Sequence, residues 1–168
     1  MDSTLALELG MTGPNLRASG VDHDLRRDAP FAAYDEVSVN VATATGGDCF
    51  ARYEVRIAEM HEAIRIVSEL IDGIPEGPIG ISKPVKMPVA IKFKEGQCYA
   101  AIETPRGELG TYLIGGGDKR GAMPYRMKIR PPSLHAVSAL TYLLPGHTVS
   151  DVVAILGSLD PIMGEVDR

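Results

Sequence analysis

The sequence predicts an α+β fold, and three observations predict it. One long stretch repeats its apolar residues at helical spacing, three short β-prone runs follow it, and the runs are grouped between helices without β-α-β alternation. With 168 residues, 45% of them apolar, the chain is long enough for one domain with a core of its own.

Residues 1–45 read as an irregular segment. A short helix-like stretch, Leu5 to Leu9, gives way to the turn residues Thr12-Gly13-Pro14 and to a charged run from Asp22 to Asp28. Such a segment buries little by itself, so a surface outside this chain is expected to order it. Val37 to Val41 alternates apolar and polar residues and predicts a short strand. Residues 46–73 carry the clearest signal. From Tyr53 the apolar positions Ile57, Met60, Ile64, Val67 and Ile71 are spaced by four, three, four, three and four, one stripe of an α-helix. Thr45 with Asp48 resembles a capping box and Gly73 with Pro75 a stop, which predicts a helix from Gly47 to Asp72. Globular helices average about 11–12 residues, so a longer rod with a regular seam suits a bundle and predicts an external helical partner.

Residues 74–168 form an α+β region. Pro75, Pro78, Pro84 and Pro88 predict an extended connector. Cys98 to Glu103, Leu109 to Ile114 and Tyr125 to Ile129 predict a small antiparallel sheet, joined by Pro105-Arg106-Gly107 and by the glycine-rich loop Gly115 to Gly121. Arg130-Pro131-Pro132-Ser133 is a rigid start for a helix from Ser133 to Leu144, stopped by Pro145-Gly146. A second helix is predicted from Ser150 to Leu156 with Ser150 as N-cap.

Charge and composition exclude several classes of function. A net charge of −5 and a pI near 5.3 argue against tracking nucleic-acid phosphates or a polybasic membrane face. The apolar stretch from Ala136 to Leu159 is interrupted by Pro145, Gly146, His147 and Asp151, too broken for the run of about 20 residues that spans a bilayer. Met1-Asp2-Ser3-Thr4 does not open a secretory signal, so a cytoplasmic location is expected. Cys49 and Cys98 lie far apart without Cys-x-x-Cys spacing, and His23, His61, His135 and His147 show no ligand spacing, so no metal ligands are assigned. Gly115-Gly116-Gly117 lacks the lysine and following helix of a phosphate loop and reads as a turn. No catalytic residue is assigned.

Longer strings carry more. Thr12-Gly13-Pro14 with Leu16-Arg17-Ala18-Ser19-Gly20, Gly47 to Tyr53, Glu103-Thr104-Pro105-Arg106-Gly107-Glu108-Leu109-Gly110, Lys128 to Ser133, and Asp151 to Asp160 with Gly164 to Arg168 occur in this order. Together they resemble the C-terminal portion of the D-type, 49 kDa-type subunit of respiratory complex I (NADH-quinone oxidoreductase), a family similar in fold to the large subunit of nickel–iron hydrogenases. The hydrogenase signature Asp-Pro-Cys-x-x-Cys-x-x-His supplies thiolates to the metal pair. Here Asp160-Pro161 are kept, while Ile162 and Glu165 stand at the cysteine positions and Arg168 at the histidine. An alkyl group offers nickel no lone pair.

The resemblance therefore implies a wall of a quinone site in an NAD(P)H:quinone oxidoreductase, a translocase that this chain would not run alone. Asp160, Ile162, Met163 and Arg168 would face the quinone, which needs an apolar slot with a few polar groups. Arg106, Gly107, Glu108 and Arg130 would be structural. The resemblance implies no cofactor in this chain, quinone as substrate, and a tetranuclear iron–sulfur cluster in a neighbouring subunit. It also implies partners: a B-like iron–sulfur small subunit, the N-terminal half of the 49 kDa-type subunit, and C-like and membrane-embedded H-like proteins, on the inner face of the cell membrane. The alternative expectation is a scaffold or assembly module that keeps the fold without quinone chemistry; a weaker one is a fragment of a group-four hydrogenase large subunit, which would require nickel.

Overall fold

The computed structural model describes residues 1–80, 92–117 and 123–167. Three short helices, α1 (Ser3–Glu8), α2 (Gly13–Arg17) and α3 (Leu25–Asp28), precede the long α4 (Cys49–Asp72). The strands β1 (Gln97–Thr104), β2 (Gly107–Ile114) and β3 (Arg126–Arg130) follow, then α5 (Pro132–Ser138), α6 (Leu140–Leu143), α7 (Val149–Leu159) and α8 (Met163–Asp167). This is the expected α+β arrangement. The strands form one antiparallel sheet in the order β1-β2-β3, with Thr104 opposite Gly107 at the hairpin and Gly110 opposite Arg130.

The N-terminal segment departs from expectation. Every residue of α2 is buried, and Ala6, Met11 and Leu16 join Ala136, Ala139 and Leu159 in the main core cluster. The surface against which α1 and α2 pack lies within the chain, while residues 29–38 are exposed or half-buried. The Met1 ammonium donates to Gly47 O at 2.8 Å, Gly47 N donates to Ala18 O at 2.8 Å, and Ala44 N donates to Arg17 O at 3.0 Å. A second small cluster, Ala18, Ala51 and Val55, packs α2 onto α4. Small side chains at these positions let backbones approach closely and leave room for the charged groups described below.

Local differences have local causes. Val37 to Val41 makes no strand; Val39 is buried as a single anchor while Asn40 N donates to Glu62 of α4. The cap of α4 is Asp48 alone, which accepts from Ala51 N at 2.8 Å from an extended backbone, so Thr45 has no capping task. The predicted helix from Ser133 is interrupted at Ala139, and α7 starts early because Thr148 and Asp151 form a capping box in place of Ser150. Pro84, Pro88 and part of the Gly115 to Gly121 loop lie outside the described residues.

Candidate functional site

Helix α4 sets up the site by having two unlike faces. Ala51, Arg52, Val55 and Ile66 are buried against the chain, and Glu59 and Glu62 extend that same side. On the opposite side, Tyr53, Met60, Ile64, Val67 and Ile71 are each more than half exposed. The regular seam seen in the sequence is therefore the outer face. Arg52 is 2% exposed and ties α4 to the end of α7, donating to Ser158 Oγ from Nε at 3.0 Å and Nη2 at 2.8 Å and to Gly47 O from Nη1.

Beneath α4 sits a buried ionic cluster centred on Arg17, the last residue of α2. Its Nε donates to Glu59 Oε1 at 2.7 Å, and its Nη1 donates to Glu103 Oε1 at 2.9 Å and to His23 O at 3.0 Å. Asp24 Oδ2 lies 3.3 Å from the same Nη1. Arg17 side-chain exposure is 1%, that of Asp24 0% and that of Glu103 4%. Asp24 also caps α3 through Arg26 N and takes the Arg26 guanidinium at 2.6 and 2.9 Å. Burial works to raise its pKa, but the Arg26 hydrogen bonds and the charges of Arg17 and Arg26 outweigh burial and hold it below the usual aspartate value. Glu103 is the reverse case: burial pushes its pKa up, Asp24 adds to the push, and Arg17 offsets only part of it.

The cluster opens on a cleft of about 640 Å³. Tyr34, Tyr53, Ile57, Met60 and Ala63 give it an apolar side, and Arg17, Arg26, Arg56, Glu59, Glu103, Arg106 and Asp160 a charged one. Arg56 spends its terminal N–H groups on neutral acceptors, Ser158 O at 2.7 Å, Arg52 O at 3.3 Å and Asn15 Oδ1 at 3.1 Å, and its Nε is buried with no acceptor among the described residues. Burial lowers its pKa. Arg106 projects from the β1–β2 turn and donates from Nε to Asp160 O at 2.9 Å, with Nη2 3.2 Å from Asp160 Oδ2. Asp160 ends α7 in the left-handed conformation, at φ 51° and ψ 52°.

The turn is held by backbone contact. Gly107 has φ +126° and Gly13 φ +65°, and a Cβ on either would run into the other's segment, Thr12 Oγ1 lying 2.5 Å from one built on Gly107. Glu108 N donates to Thr12 Oγ1 at 3.0 Å; Arg130 donates to Glu108 O at 3.0 Å and to Gly10 O at 2.6 Å. Arg106, Gly107, Glu108 and Arg130 thus knit the sheet to the α1–α2 loop and to the end of α7.

Of the residues the resemblance points to at the quinone wall, Asp160 lines the cleft. Ile162 and Met163 are 42% and 65% exposed and stand outside its lining; Arg168 lies outside the described residues. Ile162 N donates to Ser133 Oγ at 3.1 Å, and that hydroxyl in turn donates to Glu165, so the tail docks on α5. Sequence reasoning missed Arg17, Asp24, Arg26, Arg56, Glu59 and Glu103. The available signal was weak: Arg17 and Glu103 fall inside the family-like strings, and Asp24 and Arg26 inside a charged run that reads as solvated.

A model of the respiratory-chain NADH dehydrogenase 49 kDa subunit matches residues 1–168. The chain belongs to this 49 kDa subunit family. It is 45% identical to the D-type NADH-quinone oxidoreductase subunit of Methylacidiphilum infernorum, over 97% of this chain and 43% of that protein. It is 42% identical to a D-type NADH-quinone oxidoreductase subunit of Rhizobium etli, over 97% of this chain and 45% of that protein. It also superimposes, with a TM-score of 0.86 and 38% identity, on a chain in the structure of the membrane-bound sulfane sulfur reductase, an archaeal respiratory membrane complex, covering 100% of this chain and 45% of that one. The chain thus spans less than half the length of these relatives. Among the described residues, no helix is long and apolar enough to cross a membrane.

Proposed function

We propose that the chain forms one wall of the quinone site in a complex I-type oxidoreductase, with the cleft beside α4 as this chain's share of that site. The cleft carries the reading: an apolar side from Tyr53, Ile57 and Met60 faces a few convergent polar groups, among them Arg106 and Asp160, the composition a flat ring with two carbonyl acceptors needs. In this reading electrons arrive from a tetranuclear iron–sulfur cluster in a B-like small subunit. The N-terminal half of the 49 kDa-type subunit covers the outer seam of α4 beyond the cleft, at Ile64, Val67 and Ile71, and C-like and membrane-embedded H-like proteins complete a peripheral assembly on the inner face of the cell membrane. Ile162, Met163 and Arg168 extend the wall beyond the cleft once those chains close over the tail.

The test is inhibition of quinone reduction by quinone analogues in the purified complex. Asp160→Ala is expected to move the inhibition curve more than it lowers the yield of assembled complex, and Met163→Ala to move it less. Curves that overlay the wild type for both would end the assignment. A scaffold without acceptor chemistry is the second reading, favoured by the open seam of α4. A complex that assembles around the chain yet reduces neither quinone nor, as in the solved relative, sulfane sulfur would establish it.

A further inference from the structure

We propose that the Arg17 cluster holds one proton on Glu103 and that this carboxyl is a proton reservoir for the acceptor bound in the cleft it lines; the reservoir role rests on the quinone reading above. Charge and contact both point this way. Within ion-pairing distance the cluster contains two guanidinium groups, Arg17 and Arg26, against three carboxylates, Asp24, Glu59 and Glu103. Burying the extra negative charge without a counter-charge is costly, so one carboxyl takes up a proton.

The contacts choose which one. Asp24 is held by both guanidinium groups and by Arg26 N, and stays ionised. Glu59 has the shortest bond to Arg17, 2.7 Å, and keeps 14% exposure to water. Glu103 has one guanidinium contact at 2.9 Å and a long 3.4 Å bond from Leu25 N, at 4% exposure. Among the described residues the other neighbouring cations are engaged elsewhere: Arg26 is paired directly with Asp24 and attracts Glu103 only from farther off, Arg106 is engaged by Asp160, Arg56 bonds to neutral acceptors, and His23 Nδ1 pairs with Asp28. The direction of the Glu103 pKa agrees with this placement.

Reduction of a quinone to a quinol consumes two electrons, here from the neighbouring iron–sulfur donor, and two protons. Glu103 supplies one proton to a quinone oxygen as its own O–H bond breaks, and the resulting carboxylate is reprotonated by water entering the cleft. The other proton comes from a different group.

The experiment is infrared titration of the purified complex without turnover, followed by the pH profile of quinone reduction. Wild type should show a protonated-carboxyl band that Glu103→Gln removes and Glu59→Gln leaves in place. Glu103→Gln should assemble, since it keeps the neutral shape, while turnover falls by about a hundredfold, the low side of what a positioned acid contributes, and one limb of the pH profile disappears. If Glu103→Gln does not assemble, Glu103→Asp decides the matter by shifting the band's titration midpoint. A band that Glu103 variants leave unmoved, or that Glu59→Gln abolishes, overturns the proton's placement. A band lost in Glu103→Gln with a wild-type turnover profile keeps the placement and overturns the reservoir role; failure of the complex to reduce quinone at all sinks the site reading while the infrared result stands.

Discussion

The two faces of α4 reverse the usual order of a surface helix. Its inner face meets Arg17 and Ser158 through charged and small residues, while its outer face shows Tyr53, Met60, Ile64, Val67 and Ile71 to solvent. A helix in a self-sufficient domain turns its apolar stripe inward. The difference teaches that the inner face is held by ion pairs and hydrogen bonds inside this chain, whereas the apolar stripe is left open among the described residues, on a chain that spans less than half the length of the relatives it matches.

Removing the centre of the inner face tests this most severely. Arg17→Ala leaves Asp24, Glu59 and Glu103 buried beside Arg26 alone, and breaking a buried ion pair from one side costs about 3–5 kcal/mol. Urea unfolding of the chain should register a loss of that size, with Arg17→Lys intermediate because a single ammonium cannot reach all three carboxylates in fork geometry. A change within the error of the extrapolation would mean that the cluster does not hold the inner face.

Acid and base should act on the same cluster in opposite senses. Asp24 has a lowered pKa when folded, so its contribution is present above its unfolded value of 3.8 and is lost as pH falls through the folded one. Glu62, held near 2 by Arg65, behaves likewise. Glu103 has a raised pKa, so its contribution is present below 4.5 and is lost as pH rises through the folded value. Unfolding midpoints measured across pH should therefore fall on the acid side in wild type and in Glu103→Gln alike, whereas the decline on raising the pH above 4.5 should be weaker in the variant.

The outer face sharpens the comparison through a near-absence of effect. Ile64→Ser should change the stability of the chain alone by no more than about 0.5 kcal/mol, the usual range for surface substitutions. In the assembled complex the same substitution should lower the amount of this chain recovered with its partners. Equal recovery would show that the seam is not an interface.

Much of the architecture was legible in sequence because it rests on local pattern. The spacing from Tyr53 to Ile71 marks α4, and the turn Pro105-Arg106-Gly107 between β-prone runs marks the hairpin. Of the site, the sequence named Asp160, which lines the cleft, and Arg106, named as structural, which bonds to Asp160 O. The ionic cluster was not, because Arg17 and Glu103 are 86 residues apart and each reads as an ordinary surface charge in its own neighbourhood.

By itself, then, the sequence determined which residues share a face, where the long helix and the three strands of the sheet begin to within two residues, and which family the ordered strings resemble. Only the tertiary structure decided which face of α4 turns inward and which charges meet. Periodicity records that residues lie on one side of a helix and says nothing of what covers that side, whereas burial and the pairing of charges depend on distances that folding alone creates.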